Sequence, residues 1–230
     1  MIVPTMSIEE IVLKLEAEEE QAQWKILDAV RKLESRVLKT RRFPAVFESQ
    51  VITREKTTIN LCLRANKHSD WKNAHVTLYT KFHLQNGLNV IALASKRGGD
   101  VVFYTKHFLE RYRERVLKDM EMPPAKMVSE LIRRNYDLLW QYSNENFVKK
   151  LEKYQEECQG DPIVCVINDG YCFGEMLRGR IIVMRTVITE EMLRERQDEA
   201  FAHLRARVDI LRERYNLLVK KNLITNTIIQ

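Results

Sequence analysis

Residues 104–116 read YTKHFLERYRERV and set one imidazole and three guanidinium groups between positions 107 and 115. His107, Arg111 and Arg115 are spaced i, i+4, i+8, so on a helix they share one ridge, while Arg113 points elsewhere. Such a row suits reaction at a phosphate. Arginine stays protonated and grips phosphate oxygens in pairs. Thr105 is the expected N-cap, which sets His107 in the first turn. There the positive end of the helix dipole and the charge of Arg111 both favour the neutral imidazole. A neutral imidazole can take the proton of a ribose 2′-hydroxyl. The arginines can then stabilise charge at phosphorus without a metal. The same spacing also fits a solvated helix face on which Glu110 and Glu114 pair with the arginines.

The elements that must position this ridge are read from periodicity. VVFYT is a strand leading into a helix over about 105–118, whose Phe108, Leu109, Tyr112 and Val116 should bury. Upstream, FPAVFESQVITR, TTINLCLRA, AHVTLYTKFHLQ and LNVIALAS read as an antiparallel meander, with Asn86-Gly87 as a hairpin turn. In AHVTLYTKFHLQ the residues Ala74, Val76, Leu78, Phe82 and Leu84 take one face. His75, Thr77, Tyr79, Lys81 and His83 take the other, which is either a solvent-facing strand or an RNA-facing surface with aromatic beside basic groups. KRGGD at 96–100 reads as a turn; it opens no helix and lacks the G-K-S/T ending of a phosphate-binding loop. Helices are expected at 124–142, after Pro123-Pro124, and at 144–157. IVCVIND and GRIIVMRTV are the last strands, with YCFGEMLRG between them and Asp169-Gly170 as a turn.

A long helix is expected at each end. Ile8, Val12, Leu15, Ala22, Ile26, Ala29, Leu33 and Val37 form a stripe over residues 6–39, opened by a Ser7/Glu10 capping box and closed before Pro44. Thr189 can cap a second helix to about Lys221, striped by Leu193, Ala200, Leu204, Val208, Leu211, Tyr215 and Leu218. Near-heptad stripes of this kind either pair with each other or across a homodimer, or cover the central domain. The fold class is therefore α+β: an antiparallel meander packed with helices, with long N- and C-terminal helices. The organisation is an N-terminal arm at 1–40, a core at 41–188 with a helical insert at about 119–160, and a C-terminal helix at 189–230.

Composition narrows the partners. With 45% apolar and 30% charged residues, and only 7 Gly and 5 Pro in 230, the chain is globular rather than disordered. Its net charge of +6 permits binding to a polyanion without requiring it. Cys62, Cys158, Cys165 and Cys172 show no C-x-x-C pair, so free thiols in a reducing compartment are expected, and neither a metal nor a cofactor. No basic start followed by an apolar run marks a signal peptide, and no stretch reaches the ~18 apolar residues of a membrane span. A cytoplasmic location follows as an expectation. G-x-S-x-G, H-E-x-x-H and G-x-G-x-x-G are all absent, which removes serine hydrolase, zincin and dinucleotide-binding readings.

The order strand, YTKHFLERYRERV, helix, strand GRIIVMRTVITEEML resembles small bacterial proteins with an S/T-x-H-x-x-x-R-x-x-x-R helix followed by short strands. These are grouped with RelE/barnase-like toxin ribonucleases. The resemblance covers about residues 100–192, and the chain is about twice the usual length of such toxins. It implies an RNA-directed, metal-independent endoribonuclease with a cognate protein inhibitor. It places the family histidine on His107, its arginines on Arg111 and Arg115, and its late-strand polar residues on Arg185 and Thr186. Tyr104 and Thr186 would position substrate, and Lys106 with His75, Tyr79, Lys81 and His83 would bind it. The rival expectation is a non-enzymatic binding or assembly protein whose end helices mediate oligomerisation.

Overall fold

A computed structural model describes residues 2–3, 5–93, 99–143, 159–195 and 199–220. The chain divides into two units, Met1–Phe103 and Tyr104–Gln230. Helices and strands occur in both, so the α+β class holds.

The first unit opens with α1 (Ile8–Leu38), and its start follows from the local chemistry. Ser7 Oγ accepts from the Glu10 amide at 3.2 Å while the Glu10 carboxylate accepts from the Ser7 amide at 2.8 Å. The helix lies on β1 (Ala45–Ile52) and β2 (Thr58–Ala65), followed in the sheet by β3 (His75–Leu84) and β4 (Gly87–Leu93). All three pairings are antiparallel. Directly opposed residues share a face, so Phe47, Leu63 and Val76 lie on one side with Leu61 and Leu78. The expected inner stripe of α1 is buried against this side, from Ile11 and Leu15 through Ala22, Ile26 and Ala29 to Leu33 and Val37. Of the turn at 96–100, Lys96, Arg97 and Gly98 lie outside the described residues.

Two carboxylates on α1 titrate in opposite directions. Glu18 is buried; burial alone would push its carboxyl up, but hydrogen bonds from Thr57, Thr53 (Oγ1 to Oε2, 2.7 Å) and Lys14 outweigh this and hold it low. Burial, with the charge of Glu16, pushes Glu19 up to about 7 from 4.5. The contribution of Glu18 to stability is therefore present above its ordinary range and lost as pH falls. That of Glu19 is present below 4.5 and lost as pH rises through about 7. Replacing Glu19 with Gln should stabilise the fold above pH 7, by at most about 3 kcal/mol, and change nothing below pH 4. Unfolding followed by circular dichroism from pH 4 to 8 checks this; equal effects at both ends would remove the linkage.

The second unit carries the antiparallel order β9-β8-β7-β6. These are β6 (Leu139–Tyr142), β7 (Asp161–Ile167), β8 (Gly170–Leu177) and β9 (Ile181–Ile188). Two sequence expectations fail here. The helix begun at Pro124 stops at Arg134 as α3, and residues 139–142 are a strand. Asn135 ends the helix by turning its own Nδ2 onto the Leu131 carbonyl at 3.1 Å. Residues 170–177, read only as a connection, form a strand buried along its whole length. Gly174 and Glu175 at its centre disguise it. A Cβ on Gly174 would sit 2.0 Å from the Val183 carbonyl oxygen, where the β8–β9 register shifts and Arg185 becomes the extra residue of a bulge. The expected helix at 144–157 lies outside the described residues.

The C-terminal helix is likewise borne out only in part: α4 (Glu190–Glu195) and α5 (Glu199–Lys220) are described, with 196–198 outside the description. Leu193, Val208, Leu211 and Tyr215 pack on Leu139, Val164, Val166, Tyr171, Phe173 and Ile188. Each end helix thus uses its inner stripe to cover a sheet.

Candidate functional site

The histidine-arginine segment follows β5 (Val101–Tyr104). Thr105 caps it as expected: its Oγ1 accepts from the Phe108 amide at 3.1 Å and donates to the Met184 carbonyl at 3.0 Å. The helix α2 (Lys106–Arg111) then changes pitch, and Tyr112–Leu117 continues as a π-helical turn ending at Lys118 with φ +52°. His107 therefore lies in the first α-helical turn and Arg115 in the wider turn. Equal spacing in sequence hides unequal rotation along the segment.

The arginines are engaged in three different places. Arg111 Nη1 meets Glu114 Oε2 at 2.7 Å, on a partly exposed surface. Arg115 Nη1 donates to Thr186 Oγ1 at 3.1 Å and to the Val187 carbonyl at 2.9 Å, so these two sequence-predicted residues do meet. Arg185 turns to Glu175, its Nε 2.9 Å from Oε1 and its Nη2 on the same oxygen. Glu175 is fully buried, at 0% exposure, and its Oε2 accepts from the Gly160 amide at 2.8 Å. The bulge aims Arg185 at this carboxylate, and its guanidinium is bound there instead of joining Arg111.

The remaining predicted residues divide between core and surface. Tyr104 is 4% exposed, packs against Phe108 at 5.2 Å between ring centres, and has its hydroxyl pushed well above the ordinary range by burial. That corrects its expected role of touching substrate. Lys106 pairs with Glu110 at 3.6 Å. On β3, Tyr79 is also only 4% exposed, and its opposed neighbour Ala92 is buried, as is Val90 opposite Lys81. The alternation of the strand identified two faces but not their solvent access, because both faces are largely covered. Burial, with the charge of Arg64 opposite, lowers His75 to about 4, and its Nε2 lies 3.1 Å from Thr77 Oγ1. It is therefore uncharged near neutral pH. Lys81 is half-buried, and only His83 of the group is exposed. An open aromatic-basic platform is not what this strand presents.

The polar cluster that sequence reading missed centres on Asp169, in the turn between β7 and β8. Its Oδ2 accepts from the buried Tyr112 hydroxyl at 2.5 Å and from Asn135 Nδ2 at 2.9 Å. Its amide donates to Asn135 Oδ1 at 3.1 Å, and Arg134 lies 3.7 Å from Oδ1. Arg212 on α5 holds the same turn from another side, donating to the carbonyls of Ile167 at 2.7 Å and Gly170 at 3.0 Å and stacking on Tyr171. Asp169-Gly170 signalled a turn in the sequence; its partners, far away along the chain, carried no local signal.

Among the described residues no group of three His, Cys, Asp or Glu side chains could hold a metal, and no helix is long and apolar enough to cross a membrane. Cys62, Cys165 and Cys172 are buried free thiols; Cys158 lies outside the described residues. No protein-family model, curated protein or solved structure matches the chain.

Proposed function

We propose that this chain is a non-catalytic binding and assembly protein that works through the outward faces of its two end helices. One observation carries the reading. After each end helix has buried its inner stripe, a second apolar set remains exposed: Leu13, Trp24, Leu27 and Leu38 on α1, and Ile210 and Leu217 on α5. The outward face of a helix in a monomeric domain is normally polar, and a row of large apolar groups there marks a contact surface. The engagement of Arg111 by Glu114 and of Arg185 by Glu175 fits the same reading, because it leaves these groups as parts of ion pairs.

A second reading, the metal-independent endoribonuclease, is favoured by the Arg115–Thr186 contact beside the His107 helix. RNA would be its substrate and a protein inhibitor its partner. Two measurements decide between them. Sedimentation of the full chain should give a mass above that of one chain, lowered by a charged replacement at Trp24 or at Ile210 and Leu217. RNA incubated with the protein in EDTA should stay intact. Cleavage that disappears in His107→Ala would overturn the assembly reading.

A further inference from the structure

We infer that the outward face of α1 is a self-recognition surface that pairs antiparallel with α1 of a second copy of this chain. This rests on the assembly reading and specifies its partner and geometry. Exposure defines the face: Leu13 is 58% and Trp24 74% exposed, with Leu27 and Leu38 also open. Helical rotation puts these four in one sector, on the side of α1 away from Leu15, Ala22 and Leu33.

The face follows a heptad. One seam position holds Glu10, Ala17, Trp24, Arg31 and Leu38; the other holds Leu13, Glu20, Leu27 and Glu34. Eight of the nine are exposed and Glu34 is half-buried. In an antiparallel pair the two seam positions face each other across a two-fold axis, and such an interface uses the same patch twice. With the axis between Lys25 and Ile26, Trp24 meets Leu27 of the second copy, and Leu13 meets Leu38. The same register brings Glu20 against Arg31, and Glu10 against the exposed Arg41 just beyond the helix. Ala17 faces Glu34, which removes no charge and creates no clash.

Charge selects this arrangement over its rivals. A parallel pair would set Glu10, Glu20, Arg31 and Glu34 each against its own copy, four like-charge contacts in one seam. Sliding the antiparallel pair by one heptad sets Leu13 against Arg31, or Trp24 against Glu34. Only the stated register, among these, pairs apolar with apolar and acid with base.

The experiment uses the full chain. Sedimentation equilibrium should show a dimer, and Trp24→Glu should raise its dissociation constant by about 100-fold, as expected when an interfacial Trp anchor is lost. Trp24 is exposed, so this change leaves the inner packing intact. Glu20→Arg should weaken the dimer about 10-fold, and Glu20→Arg with Arg31→Glu should restore it, because the pair is exchanged on both sides of the axis. Oxidation should join two copies when Leu13→Cys and Leu38→Cys are carried together, and not when Leu38→Cys is carried alone. A chain that stays monomeric at about 100 μM, where even modest affinity would show, overturns the pairing. So does cross-linking through Leu38→Cys alone, which reports a parallel pair. A dimer that persists in Trp24→Glu and dissolves on charging Ile210 and Leu217 overturns it too, while the broader assembly reading stands. His107-dependent cleavage of RNA sinks that broader reading by a separate readout.

Discussion

Arg185→Ala is expected to destabilise the second unit by about 3–5 kcal/mol, the cost of leaving a buried carboxylate without its cation. Glu175 sits at the centre of β8 with no exposure, and Arg185 supplies two of its hydrogen bonds; the Gly160 amide supplies the third. Removing the guanidinium leaves Oε1 buried without the partner that donates to it. Replacing both partners, Glu175→Met with Arg185→Leu, should recover most of the loss, since no charge is then buried. Urea unfolding of the three proteins checks this. If Arg185→Ala unfolds within about 1 kcal/mol of the native chain, the pair is not structural, and Arg185 returns as a candidate phosphate ligand.

Asp169→Ala is expected to cost about 2–4 kcal/mol, because several partners lose their acceptor at once. Tyr112 is fully buried and its hydroxyl would be left with Asn135 alone; Asn135 Nδ2 would keep Tyr112 and Leu131. Asp169→Asn, which keeps one carbonyl oxygen in place, should cost less than half as much. Tyr112→Phe should fall between them, since it removes the donor and leaves the carboxylate with Asn135 and Arg134. Thermal unfolding of the three variants gives the order, and an Asn variant as unstable as the Ala variant would show that charge, not hydrogen bonding, holds the turn.

What could be read from the sequence follows physical locality. The Ser7/Glu10 box, the inner stripe of α1 and the Thr105 cap are all set by residues within a few positions of each other, and each is found where its chemistry places it; the hairpin expected at Asn86-Gly87 is also present, but its turn is Gln85-Asn86, with Gly87 already paired to Leu84. β8 was missed because alternation disappears when both faces of a strand are covered, and because a glycine and a glutamate stand in its middle. The pairing of Arg185 with Glu175 was hidden for a related reason. Strand counting assumes two residues per repeat, and a bulge at Arg185 breaks the count. Nothing near Arg185 in sequence announces Glu175, which faces it from the neighbouring strand. The resemblance placed Arg115 and Thr186 among the residues of one site; their contact had no local signal, since 71 positions separate them. The outer face of α1 was printed in the sequence all along. Its meaning emerges only once the inner face is seen to be buried.

The Asp169 turn also bears on how the second unit assembles in time. A two-residue connection between adjacent strands is ordinarily among the first contacts a chain makes. This one is finished only when chain ends separated by 57 positions (Tyr112), 34 positions (Asn135) and 45 positions (Arg212 to Ile167) have been brought to it. Each closure carries an entropic cost that grows with loop length. The tip of the hairpin is thus local in sequence yet late in completion. Opening it breaks contacts to Tyr112, Asn135 and Arg212 together, so its amides are expected to exchange more slowly than those of an unsupported hairpin tip, which hydrogen exchange would read.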